Sequence, residues 1–241
     1  MPPAILKCTL CPKECRLGPS QRGDCRVRVN LDGKLIIYYE YTYETSRLAK
    51  QAGIKNILVT AGFINEKPLR KLCTVSDAAN VDIKSFDESF YRGVCAGRLQ
   101  PVLDCCEIMR QEGVLVEITN LIVPTLNDSL DTIRRMCGWI AKELGPDQPL
   151  HFSRFHPEHK LTHLAPTPVE TLVKARDSAR AEGLRYVYIG NVPGLEGVET
   201  TYCPNCKKAV IERDIFAVTR MDLTDGKCRF CGTKIAGVWK T

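Results

Sequence analysis

Hydrophobic and polar positions between residues 38 and 195 follow two alternating periods. Helical spacing runs over 41–52, 68–75, 87–95, 101–112, 127–144 and 168–182. Between these segments lie short apolar runs that read as strands, over 56–60, 79–84, 114–123, 149–153 and 184–190. Apolar residues three and four apart bury one helix face, whereas a short apolar run bounded by turn residues suits a buried strand. Gly53 and Gly113 close two of the helices, at a position that favours a left-handed residue. Asn127-Asp-Ser129 reads as a helix cap. The strands read as apolar on both faces, as strands do in parallel sheets covered by helices. Strand, helix, parallel strand is then the economical connection. It predicts right-handed βα units in a barrel or a doubly wound sheet.

Both ends break this pattern. In residues 1–37, four cysteines precede a strand over 26–29, a turn at Asp32-Gly33 and a strand over 34–37. Residues 200–241 hold two Cys-x-x-Cys pairs around β-rich stretches at 209–211 and 215–218. Three units are therefore expected: 1–37, 38–199 and 200–241.

Composition narrows the class. Of 241 residues, 44% are hydrophobic and 26% charged, which excludes wholesale disorder. No apolar run approaches the ~20 residues of a membrane helix, and the N-terminus lacks the apolar core of a signal peptide. A soluble cytoplasmic protein is expected. The 13 cysteines are an odd number, which argues against a complete disulfide framework; clustered cysteines in such a protein are more often metal ligands.

Cys203, Cys206, Cys228 and Cys231 form two close pairs separated by a span that fits a small hairpin. This is the pattern of a zinc ribbon, a closed structural Zn²⁺ site with no open coordination position. Cys8, Cys11, Cys15 and Cys25 form a second candidate set. Four thiolates suit either Zn²⁺ or an iron–sulfur cluster, and their spacing does not separate the two. The formal net charge of +6 falls once eight ligands are counted as thiolates. Basic residues beside the cysteines, among them Lys7, Arg26, Lys207 and Arg229, then offset anionic metal sites. Nucleic-acid binding is the rival reading of basic, cysteine-rich ends, but the middle of the chain is not basic.

Several segments, taken in order, carry a resemblance. They are Cys8-Thr-Leu-Cys-Pro12, Arg22-Gly-Asp-Cys25, Asn80-Val-Asp-Ile-Lys-Ser-Phe86, Leu121-Ile-Val-Pro-Thr-Leu-Asn-Asp128, Phe152-Ser-Arg-Phe-His-Pro157 and Tyr186-Val-Tyr-Ile-Gly-Asn-Val-Pro-Gly194. Together they resemble the radical SAM enzyme of the AmmeMemoRadiSam system, a relative of the pyruvate formate-lyase activating enzymes. The resemblance implies a partial (β/α) barrel flanked by an N-terminal four-cysteine hairpin and a C-terminal zinc-ribbon-like unit. It implies a [4Fe–4S] cluster that cleaves S-adenosylmethionine (SAM) to a 5′-deoxyadenosyl radical, which takes hydrogen from a small-molecule or protein substrate. It also implies a reductant such as ferredoxin or flavodoxin. Members hold the cluster through Cys-x3-Cys-x2-Cys, and no such spacing occurs in these 241 residues. The reverse order, Cys8-x2-Cys11-x3-Cys15, stands outside the barrel. An internal gap near residues 35–38 is expected, leaving the barrel incomplete at its N-terminal strands and one parallel edge unpaired. The alternative to an enzyme is thus a catalytically inactive, zinc-stabilised scaffold.

Asp82 and Lys84 alternate with Val81 and Ile83 at a strand's C-terminal end, so both are expected at a barrel mouth, where ligands bind. The resemblance implies that this Asp-x-Lys strand contacts SAM. Thr60 ends its own strand and is a second candidate, with a turn cap as the alternative. Thr119 and Asn120 place one side chain inward and the other outward, so Asn120 is a further candidate. His151, at a strand end, is a candidate to line the site; a satisfied core histidine is the alternative. Arg154 pairs with a ligand carboxylate or a structural acid. The remaining cysteines, at 73, 95, 105, 106 and 137, are expected as small buried hydrophobes.

Overall fold

The computed structural model describes residues 5–31, 33–36, 38–214 and 217–239. Its N-terminal unit consists of two short antiparallel pairs: β1 (Leu6–Lys7) with β2 (Arg16–Leu17), and β3 (Val29–Leu31) with β4 (Lys34–Ile36). The first pair was not expected from the sequence. The second is shifted from the expected 26–37 hairpin, because Arg26 adopts φ 59° in a turn bonded to the Gly23 carbonyl, and pairing begins at Val29. Asp32 and Ile37, parts of that expected hairpin, lie outside the described residues. Tyr38 joins this unit to the first helix with φ 65°, a conformation that costs a non-glycine residue about 1–3 kcal/mol.

Next come α1 (Tyr39–Gln51), β5 (Ile57–Thr60), α2 (Glu66–Cys73), β6 (Ala78–Asp82), α3 (Glu88–Gly93), α4 (Gln100–Gln111), β7 (Leu115–Ile122), α5 (Leu130–Trp139), β8 (Leu150–Arg154), α6 (Val169–Ala181) and β9 (Val187–Gly190). The five strands are parallel and lie in the order β5-β6-β7-β8-β9. A strictly sequential order lacks the reversal that defines a doubly wound sheet, so that expected alternative is not formed. The helix expected over 127–144 begins at Ser129, whose hydroxyl accepts from Thr132 N–H. Its final turn widens to a π-helix at Ile140–Leu144 and stops at Gly145, with φ 96°.

Burial alternates along each strand. Val81, Val116, Ile118, Phe152 and Ile189 pack against Leu69, Val102, Met109, Met136 and Leu172 from the helices. The opposite face carries Asn80, Asp82, Glu117, Thr119, His151 and Tyr188, all half-buried. The expectation of strands apolar on both faces is therefore corrected: the helices cover one face only. Period-2 alternation on β7, with Glu117 and Thr119 between apolar neighbours, is the local cause.

The sheet's two edges differ. β5 has no strand partner on its outer side among the described residues, and its Ile57 and Val59 are 69% and 81% exposed. At the other edge, the Ile189 amide donates to the Val198 carbonyl at 3.2 Å. The chain then forms an antiparallel sheet of β10 (Thr201–Tyr202), β11 (Ala209–Asp214) and β12 (Ala217–Met221), followed by a hairpin of β13 (Leu223–Thr224) and β14 (Lys227–Cys228). Ile215 and Phe216, which begin the strand expected over 215–218, lie outside the described residues. Tyr186, just before β9, packs into the core of this unit with Val210, Ile211 and Ile235. Its hydroxyl accepts from the Ala236 amide at 3.2 Å. The C-terminal unit is thereby fixed to the parallel sheet.

Four of the scattered cysteines, Cys73, Cys105, Cys106 and Cys137, are buried as expected. Burial pushes the Cys105 and Cys137 thiols up to about 12. Cys95 departs from the expectation: it is exposed in the turn after α3. No helix among the described residues is long and apolar enough to cross a membrane.

Candidate functional site

The sulfurs of Cys203, Cys206, Cys228 and Cys231 come together at the tips of two turns, all within 4.8 Å of one another. Lys207 adopts φ 61° behind the first pair and Gly232 φ 73° behind the second, so each chain end doubles back to present its cysteines. Cys203 and Cys228 are buried, while Cys231 faces solvent. Hydrogen bonding to Thr233 holds the Cys231 thiol down to about 5. The group could bind a metal ion.

The N-terminal cysteines are gathered more loosely. The Cys8 amide donates to the Cys15 carbonyl at 2.8 Å, closing the first loop. Burial, with the neighbouring Cys8, Cys15 and Cys25 adding to it, raises the Cys11 thiol above its ordinary value. A side chain at Gly23 would touch the sulfurs of both Cys15 and Cys25, at 3.6 and 3.7 Å. Among the described residues, the C-terminal set is the one whose donor atoms close to ligand spacing. The N-terminal unit is tied to the parallel sheet through the loop after β5. There the Asn65 amide donates to the Leu10 carbonyl at 2.9 Å, and Asn65 Nδ2 to the Thr9 carbonyl at 2.7 Å. Arg28 and Glu40 form a bidentate pair between this unit and α1. Burial pushes the Glu40 carboxyl up, but the Arg28 hydrogen bond and charge, a backbone hydrogen bond and the Lys71 charge together hold it below its usual range.

This docking encloses a cleft of about 890 Å³ at the C-terminal ends of β5 and β6, lined by Thr60, Phe63, Lys84, Tyr91, Cys11, Cys25 and Cys95 among others. Lys84 lines this cleft, and its Nζ donates to Asp82 Oδ2 at 2.7 Å, both half-buried. Thr60 stands at the cleft wall, and its hydroxyl accepts from the Gly62 amide at 3.1 Å. Asn120 is on the helix-covered face rather than in the cleft, and its Nδ2 donates to the Ile83 carbonyl at 2.7 Å. Asn127 Nδ2 donates to the Lys84 carbonyl at 2.6 Å. These two amides fix the backbone that carries Lys84. Ser85 Oγ and Asn120 Oδ1 are buried there without a hydrogen-bond partner among the described residues.

His151 lies elsewhere on the sheet. Its Nε2 is 2.8 Å from Glu117 Oε2, and its ring stacks on Tyr188 with centroids 5.0 Å apart. Glu117 and Tyr188 were not singled out from the sequence. The signal for Glu117 was there, in its period-2 alternation with Thr119 on β7. Arg154 Nε donates to the Thr167 carbonyl at 2.9 Å, a structural role.

No family model matches the chain. It is 49% identical over 225 residues to an uncharacterised protein of Methanocaldococcus jannaschii, a match covering 90% of this chain and 66% of that one. It is 28% identical over 108 residues to the pyruvate formate-lyase-activating enzyme of Clostridium pasteurianum, covering 45% of each. The chain is weakly homologous to that enzyme. Among solved structures, a domain of pyruvate formate-lyase-activating enzyme from Bacteroides vulgatus superposes with a TM-score of 0.55 at 15% identity, covering 63% of this chain and 91% of that one. A radical SAM methyltransferase from Sphaerobacter thermophilus gives 0.52 at 13% identity, over 63% and 46%. The fold is that of neighbours in the radical SAM class. The chain spans less than two thirds of either curated relative's length.

Proposed function

We propose that this chain is a metal-stabilised protein of the radical SAM lineage that binds an S-adenosylmethionine-type ligand in the cleft at Lys84. The observation that carries this reading is the Asp82–Lys84 pair, which brings the Lys84 ammonium to a cleft that Thr60, Phe63 and Tyr91 also line. Asp82 would accept from an ammonium or ribose hydroxyl, Lys84 would meet a carboxylate, and Thr60 would contribute a hydroxyl. Phe63 and Tyr91 supply the apolar surface against which a flat base could rest.

The residues present do not fit the radical-generating [4Fe–4S] cluster in its usual form. The 241 residues contain no Cys-x3-Cys-x2-Cys. The C-terminal sulfurs stand 3.6 and 3.7 Å apart across the site. That is the spacing of four ligands around one tetrahedral ion with bonds of about 2.3 Å, whereas a four-iron cube places each thiolate on its own iron and holds them farther apart. We therefore read the C-terminal site as structural Zn²⁺ and assign no radical step to these residues.

One observation favours a second reading. Cys11 and Cys25 line the same cleft as Lys84 and Thr60, so an N-terminal cluster would face the ligand site. Metal analysis after anaerobic reconstitution separates the two. Zinc at one or two per chain without iron, with SAM bound but no 5′-deoxyadenosine formed, supports the first reading. About four irons per chain, with reductive cleavage of SAM, supports the second. Absence of SAM binding that is sensitive to Lys84→Ala defeats both.

A further inference from the structure

A second cleft lies on the open face of the sheet and shares no lining residue with the one at Lys84. It has a volume of about 430 Å³ and is walled by Glu117, His151, Tyr188, Gly190, Glu199 and Arg213. That is the size of a small-metabolite site. Three parallel strands and the C-terminal unit build it together. Arg213 reaches over from β11, donating to the Glu199 carbonyl at 2.9 Å and to Thr201 Oγ1 at 3.0 Å. Tyr188 Oη bonds the same Thr201 hydroxyl at 3.0 Å. The Arg213 guanidinium carbon lies 5.9 Å from the Tyr188 ring centre. These contacts fix the wall and leave a specific set of groups unused.

The unused groups are mostly acceptors. His151 uses Nε2 on Glu117, and its Nδ1 makes no hydrogen bond among the described residues. Glu117 engages through Oε2 only. The Glu199 carboxylate has neither ion pair nor hydrogen bond among the described residues; only its backbone carbonyl is engaged. Two carboxylates stand against one guanidinium, so the lining carries a net negative charge while the imidazole is neutral. Gly190 forms the floor, and a side chain added there would meet nothing within 4 Å. We propose that this cleft is a binding site for a small ligand bearing a protonated amine, received by the Glu199 and Glu117 carboxylates and His151 Nδ1.

The test uses the full chain and three probes of equal length at pH 7: n-butylamine, which is protonated, the neutral n-butanol and the anionic butyrate. The readout is the His151 ring carbon–proton signal in NMR, assigned by its loss in His151→Gln and compared with the other three histidines. The expected result is a saturating shift of the His151 signal with n-butylamine and none with n-butanol or butyrate. Glu199→Gln should weaken this at least 5-fold. Gly190→Leu should abolish it without unfolding the protein, since the added side chain enters open space. No saturable shift with the amine, an equal response to n-butanol or butyrate, or a response unchanged in Gly190→Leu would overturn the proposal.

Discussion

Asn120 Nδ2 donates to the Ile83 carbonyl across 2.7 Å, from β7 to the residue just past the end of β6. Together with Asn127, whose amide holds the Lys84 carbonyl at 2.6 Å and the Leu121 carbonyl at 2.8 Å, it sets the backbone from which Lys84 reaches the cleft. Asn127 also accepts from the Val123 amide at 2.6 Å, so it satisfies three backbone groups. Asn120 serves the Ile83 and Lys84 carbonyls, the latter at a longer 3.3 Å, and its own Oδ1 is buried unpaired among the described residues.

This asymmetry gives an ordered prediction for stability. Each buried group left unsatisfied costs about 1–3 kcal/mol. Asn127→Ala strands several groups and should lose about 3 kcal/mol or more. Asn120→Ala strands fewer and also removes an unsatisfied acceptor, so it should lose about 1–2 kcal/mol by the same rule. Urea unfolding of both variants checks the order; an Asn120→Ala loss equal to or larger than that of Asn127→Ala contradicts it.

The C-terminal unit should depend on its metal. Its small core of Val210, Ile211 and Ile235 is built around Cys203 and Cys228, and folding of such a unit is coupled to metal binding. Trp239 reports on it: its indole donates to the Ile235 carbonyl at 2.9 Å and packs over Gly226. Removing the metal with a strong chelator should shift Trp239 emission to the red, with Trp139 against the sheet's core unchanged. Gly226→Ala should do the same with metal present, because a Cβ there would lie 2.2 Å from the Trp239 ring in a backbone already at φ 69°. Emission that stays constant after any bound metal is shown to be gone would rule out a structural role for the site.

The order of helices and strands was legible in the sequence because each has its own period and its own caps. Strands at 57–60, 115–122 and 150–154 fall within one or two residues of the apolar runs. The C-terminal four-cysteine group was legible because two Cys-x-x-Cys turns leave few other arrangements. What the chain does not spell out locally is which elements meet. Glu117 and His151 are 34 residues apart, and Arg213 belongs to a different unit, so their cleft exists only once β7, β8, β9 and β11 are assembled. Asn120 shares the period-2 face of Val116, Ile118 and Ile122, so the alternation on β7 already pointed it toward the helices rather than toward a ligand. The N-terminal hairpin was shifted for a local reason, the turn at Arg26.

The Glu117–His151 pair should leave a signature in acid. The hydrogen bond from His151 is the main cause holding the Glu117 carboxyl below its usual value of 4.5, against an opposing push from burial. A depressed carboxyl contributes stability that is complete above the unfolded value and lost as pH falls through the folded one. The stability difference between the native chain and Glu117→Gln should therefore hold steady near neutrality and shrink as the solution is taken below about pH 4.5. Urea midpoints measured from pH 7 down to pH 3 test this, and a difference that grows on acidification reverses the assignment.

The β5 edge carries the last prediction. A parallel strand with an open edge presents unpaired backbone groups, and proteins usually guard such edges with charge or a covering segment. Here Ile57 and Val59 instead stand 69% and 81% exposed on that strand, and the helices cover only the other face. The isolated chain should therefore associate with itself as its concentration rises. Val59→Lys places a charge on the edge at a position that buries almost nothing, so its cost to folding should stay within about 0.5 kcal/mol. Light scattering across a concentration series should show the native chain growing in mean mass and the lysine variant remaining monomeric at the same unfolding midpoint. If the native chain is itself monomeric at high concentration, the edge is protected by something other than its own residues. If the variant associates as strongly, the contact lies on another surface.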